Sequence, residues 1–149
     1  MASARHDSGL SLLELLVTLA LVGLLATLAY PSYRDTLLRA HRLEAIDALL
    51  GVAAAQERFY ILHGRYASQL DDGSASSQPG LAVAAITSGG HYRLAVAASG
   101  IADFTATATV LEGSGQEADE RCSLFSIRAN GQRRAEDRGG QDTTRPCWG

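Results

Sequence analysis

Residues 10–30 read Leu10-Ser-Leu-Leu-Glu14-Leu-Leu-Val-Thr-Leu-Ala-Leu-Val-Gly23-Leu-Leu-Ala-Thr-Leu-Ala-Tyr30, an apolar run interrupted by a single charge. As a helix rising about 1.5 Å per residue, the run reaches roughly 30 Å, the thickness of a bilayer's hydrocarbon core. It is apolar on every side, which excludes a helix lying flat on a membrane surface. The segment therefore crosses a membrane or packs inside an assembly. Glu14 is the residue that discriminates. An ionised carboxylate in hydrocarbon costs about 3 kcal/mol, somewhat less near the end of a span. The segment holds no cation to offset that cost.

Two plainer readings compete. One is a cleavable secretory signal with Thr27-Leu28-Ala29 at its cleavage site, against which the length of the run and the internal carboxylate both count. The other is an ordinary single-span anchor. Flanking charge does not favour an exported C-terminal part, since Arg5 precedes the run while Arg34, Arg39 and Arg42 follow it. Large C-terminal domains nevertheless cross regardless of such charges.

Outside this run the 149 residues have room for one domain and an appendage. The formal net charge of −3 gives no bulk attraction for nucleic acid. All 13 basic residues are arginine, which excludes any chemistry that needs a lysine amine. The only cysteines are Cys122 and Cys147, and a pair in a chain with an export-type N-terminus reads as a disulfide.

Beyond Tyr30 the helical pattern resumes, with Leu43, Ile46, Leu50, Ala53 and Tyr60 on one apolar face and Leu49 beside them. One long helix is expected over 10–63, stopped by Gly64 and kinked or locally melted at Pro31. Residues 64–90 read as a connecting loop, with Asp71-Asp72-Gly73 and Pro79-Gly80 as turns and a short element near Leu81 to Ile86. The period then changes to two. Strands are expected at 92–98, 104–111 and 122–128, the second with its threonines on one face. Asn130-Gly131 is a tight hairpin signal leading into a fourth strand over 132–135. The predicted fold is α+β, the long helix covering the apolar face of a small antiparallel sheet of about four strands. The polar tail over 136–149 would fray unless a Cys122–Cys147 bond anchored it, a closure that contributes roughly 3–4 kcal/mol.

Gly9-Leu10-Ser11-Leu12-Leu13-Glu14 resembles the class III signal of type IV prepilins, and Tyr30-Pro31-Ser32-Tyr33 stands where such pilins carry that tetrapeptide. Gln56-Glu57-Arg58-Phe59-Tyr60 and the final Cys147-Trp148 resemble the PilE-like minor pilins of the same family. The resemblance implies the type IV pilin fold and a leader over 1–9 cleaved after Gly9 by a prepilin peptidase. It also implies N-methylation of Leu10, a membrane or filament-core segment over 10–30, and a periplasmic head over 64–149 with a disulfide-bounded loop 122–147. It gives Glu14 a partner, the N-terminal amine of a neighbouring subunit, the two charges offsetting each other's desolvation in a dry filament core. The implied partners are other pilin subunits, the peptidase and methyltransferase, the assembly platform and the inner membrane. Leu10 stands in place of the usual phenylalanine, and the leader carries little positive charge.

Little else in the chain suggests chemistry. His6, His41, His63 and His91 lack metal-type spacing, and Asp71-Asp72 fits a turn better than a calcium site. No nucleophile elbow or phosphate loop is present, and neither enzyme activity nor a cofactor is expected. Arg128, Arg133, Arg134, Arg138 and Arg145 form one candidate basic patch. Arg133, Arg134 and Arg138 are its candidates for DNA contact, although Glu136, Asp137 and Asp142 interleave with them. The expected function is a minor pilin subunit serving adhesion or twitching motility. A DNA-uptake competence pilin, a type II secretion pseudopilin and a membrane-anchored periplasmic binding module are the alternatives.

Overall fold

The computed structural model describes residues 11–70 and 80–149. Gly9, Leu10, the leader and Asp71-Asp72 lie outside these residues. The chain divides into two compact units, Met1–Leu37 and Leu38–Gly149. Helix α1 runs over Leu12–His63, drawn from both.

In the first unit every residue from 11 to 37 is exposed, although most are apolar. By length and composition α1 can cross a membrane. The two threonines of the run fit such surroundings, because Thr18 Oγ1 donates to the Leu15 carbonyl at 2.9 Å and Thr27 Oγ1 to Leu24 at 2.7 Å. Pro31 lies inside α1, and the helix continues through it. Of the kink or local melting expected there, the melting does not occur. Proline withholds one backbone donor, the one that would meet the Thr27 carbonyl.

In the second unit a meander of four antiparallel strands forms one sheet in the order β1-β2-β3-β4. These are β1 (Tyr92–Ser99), β2 (Asp103–Val110), β3 (Leu124–Arg128) and β4 (Arg133–Glu136). Alternation puts Phe104, Ala106 and Ala108 inward on β2 while Thr105 and Thr107 are only half-buried and Thr109 is exposed. In register, Ala106 lies between Val96 and Ile127, and Ala108 between Leu94 and Phe125. Two alanines at the middle of the sheet leave room for α1, whose Ala45, Leu49, Val52, Ala55 and Phe59 join the same core.

That buried stripe matches the expected one only in part: Ile46 and Ala53 pack against the core as expected. Leu43 is 66% exposed, Leu50 40% and Tyr60 36%, while Leu49, foreseen beside the stripe, lies at its centre. The helix is apolar on more than one side, so periodicity alone fixes a helix without fixing which face turns inward. The decisive residue is polar. Gln56 is fully buried, its Nε2 donating to the Ala67 carbonyl at 2.8 Å and its Oε1 accepting from the Ala67 N–H at 2.9 Å. Gly64 ends α1 in the left-handed region (φ 67°), its N–H bonded to the Tyr60 carbonyl.

Three connections refine the sequence reading. Asn130-Gly131 sits in a three-residue hairpin loop, in which Gly131 (φ 78°) takes the bulge position while Arg128 N–H bonds Gln132. The segment near residue 86 is neither helix nor strand, but it lies along β1 through an Ile86–Arg93 bridge and a Leu94 N–H to Ala85 bond. Over the tail a short helix, α2 (Thr144–Trp148), follows a Glu136–Asp142 bridge. Cys122 and Cys147 are bonded, with Cα atoms 5.8 Å apart.

Candidate functional site

Three places bear on function. The first is Glu14, in the first turn of α1, where a carboxylate also complements the helix dipole. It is exposed, and among the described residues no ion pair or hydrogen bond engages it. The cost of putting it in hydrocarbon is therefore unrelieved within the described chain.

The second is a polar cluster where α1 meets the loop before β3, a loop that includes a 3-10 turn at Gln116–Ala118. Arg42 holds Asp119 through two bonds, at 2.6 and 2.9 Å, with Asp119 nearly fully buried. Gln116 Nε2 donates to the Leu38 carbonyl and to Asp119. With its amide nitrogen so committed, Gln116 Oε1 must accept, and His41 Nδ1 donates to it at 2.9 Å. The His41 ring stacks on His91 at 3.6 Å, and His91 Nδ1 meets Glu44 at 2.6 Å. Burial raises the Glu44 carboxyl, but hydrogen bonds from Thr87, His91 and the Gly89 N–H outweigh it and hold the group below its ordinary value. A Cβ at Gly89 would stand 2.5 Å from Glu44 Oε2, so a larger residue there would displace the Glu44 carboxylate from this contact. Burial, with Asp119 nearby, pushes the Tyr92 phenol up. The Tyr92 hydroxyl lies beside Gln116 but makes no hydrogen bond of good geometry among the described residues. The pairings that tie α1 to these loops could not be read from the sequence, since their members lie far apart along the chain.

The third place is the disulfide-closed tail. The structure sorts the candidate arginines. Arg134 pairs with Glu136 at 3.1 Å, and Arg138 with Glu120 at 3.5 Å and the Glu117 carbonyl at 2.7 Å. Arg128 pairs with Asp103 at 2.6 Å. Of the three acids expected to neutralise the patch, Glu136 alone pairs with an arginine among the described residues; Asp137 and Asp142 serve their own turns. Arg133 lies over the Trp148 indole, 5.2 Å from its centre. The indole is fixed by its Nε1–H to the Arg134 carbonyl at 2.9 Å and by Phe125 edge-on. Beside it an open groove of about 390 Å³ is lined by Arg39, Arg42, Leu43, Ile46, Arg121 and Trp148, among others. The sequence reading passed over Arg39 and Arg121, because only folding brings α1 and the residue before Cys122 to the tail.

Residues 31–126 match the family model described as "Type IV minor pilin ComP, DNA uptake sequence receptor", and residues 4–30 match the prokaryotic N-terminal methylation motif. The type IV major pilin protein PilE1 of Neisseria gonorrhoeae is 34% identical over 73 residues, 49% of this chain and 44% of the relative. A fimbrial protein of Neisseria meningitidis serogroup A is 39% identical over 62 residues, 42% of this chain and 36% of the relative. The matched part spans less than half the length of these relatives. A long N-terminal helix on a four-stranded antiparallel sheet, a closing disulfide, the methylation motif and the family match over most of the head agree on one assignment: the chain belongs to the type IV pilin family.

Proposed function

We propose that the protein is a minor pilin that waits in the inner membrane and enters a type IV pilus through residues 11–37. The observation that carries this reading is the apolar helical run over residues 11–30, exposed throughout, whose one charge, Glu14, has no partner among the described residues. Once a peptidase cuts after Gly9 and Leu10 is methylated, the new amine of an adjacent subunit supplies the cation that Glu14 lacks. The assembly platform would bring the two together. Glu14→Ala is expected to leave the head folded and cleavage intact while lowering the amount in sheared filaments at least tenfold. Normal incorporation of this variant would overturn the charge-pair account.

A second reading has its own support. The ComP-type family match covers 31–126, and Arg39, Arg121 and Arg133 have no acidic partner among the described residues. On this reading the pilin also binds DNA during uptake, and binding weakens steeply with salt. Duplex and single-stranded oligonucleotides titrated into the full chain at low and high salt test it. Absence of binding at low salt would rule it out.

A further inference from the structure

We propose that the groove beside Trp148 holds one nucleotide of a single DNA strand, the base against the indole and the flanking phosphates on Arg39 and Arg121. The proposal rests on the DNA reading above and adds a site and a strand state to it. Three observations converge. The indole is anchored on three sides, by the Arg134 carbonyl, by Phe125 and by the Arg133 guanidinium, so it is a fixed platform rather than a mobile side chain. Two exposed arginines line the same groove with no carboxylate in ion-pair range among the described residues. Arg42, by contrast, is neutralised by Asp119 and serves as the groove's wall. The volume, about 390 Å³, falls among small-ligand clefts, which run from about 300 to 1,000 Å³.

A fixed aromatic flanked by unpaired cations matches the way single strands are held, by base stacking and backbone charge without a sequence code. A duplex hides its base faces and offers only phosphates to such a groove. The disulfide acts here as part of the site, since Cys147 seats Trp148 and Cys122 follows Arg121 directly.

Trp148 is the chain's single tryptophan, so its fluorescence reports on the groove without a label. The full chain in detergent would be titrated at low salt with oligothymidylate of about eight nucleotides, a length within the range of single-strand sites. Anisotropy of a labelled oligonucleotide would be followed in parallel. Saturable quenching is expected with the single strand and not with a duplex. The double variant Arg39→Ala/Arg121→Ala should bind at least tenfold more weakly. The control Arg128→Ala/Arg138→Ala removes the same charge from paired positions and should change affinity less than threefold. Two results would refute the site while leaving the DNA reading intact: binding without quenching, or equal losses in the two double variants. Equal quenching by polyglutamate would assign the groove to carboxylates of a protein partner instead. If neither single strand nor duplex binds at low salt, the DNA reading fails and takes the site with it.

Discussion

At the scale of single residues, the polar contacts of the head decide more than its apolar ones. Gln56 satisfies both backbone groups of Ala67, which is fully buried. Gln56→Ala leaves that N–H and carbonyl without partners and should cost about 2–3 kcal/mol in urea unfolding of the full chain. Tyr92→Phe is the opposite case. Its hydroxyl makes no hydrogen bond of good geometry among the described residues, so removing it should change stability by less than about 0.5 kcal/mol in the same measurement. Glu44 makes a pH-dependent contribution. Its folded value is depressed, so its stabilisation is present above the ordinary carboxyl value of 4.5 and is lost as pH falls through the lower, folded one. The wild type should therefore exceed Glu44→Gln in stability at pH 7, and the two should converge at pH 3. Little of this was legible in the sequence. Arg42 and Glu44 read as solvated charges on the outer faces of a helix, because nothing local announces that Asp119 and His91 come to meet them.

Among elements, legibility followed the strength of the local signal. The strands declare themselves through strict alternation, and the threonine row of β2 is legible in the sequence itself. Gly64 marked the helix end because the left-handed cap needs glycine. The inward face of α1 is legible only in part, since leucines and alanines on several sides fit more than one stripe. Asn130-Gly131 gave the hairpin but not its three-residue form, which depends on the register Phe125–Ala135 and Ile127–Arg133 set by the core. Helix α2 was missed for a different reason. Five residues have no helical stability of their own, and this turn exists because the disulfide and β4 hold it. Its contacts close the β4 edge, with Thr143 N–H bonding the Ala135 carbonyl and Thr144 Oγ1 accepting from the Ala135 N–H. Replacing both cysteines by serine should lower stability by about 2–4 kcal/mol and speed amide exchange at Ala135. The core amides of β2 should retain their protection relative to Ala135.

On the scale of the whole molecule, the two units answer different demands. The first makes physical sense only in apolar surroundings over residues 11–30, which are exposed, rich in leucine and carry a single charge at Glu14. The second is a small water-facing domain with its own core and staple. Assembly into a filament reconciles the first with water and gives Glu14 a counter-charge. The class of protein was legible from the first fourteen residues and the run that follows, because hydrocarbon prices charge so steeply that a lone glutamate stands out. The groove was not legible, because its walls come from three distant stretches of chain. The account stands or falls on the processed N-terminus, and intact-mass spectrometry of the mature protein reads it directly. A mass corresponding to a chain that begins at Leu10 and carries one added methyl group is the predicted result; a chain beginning at Ala2 or at Tyr30 would contradict it.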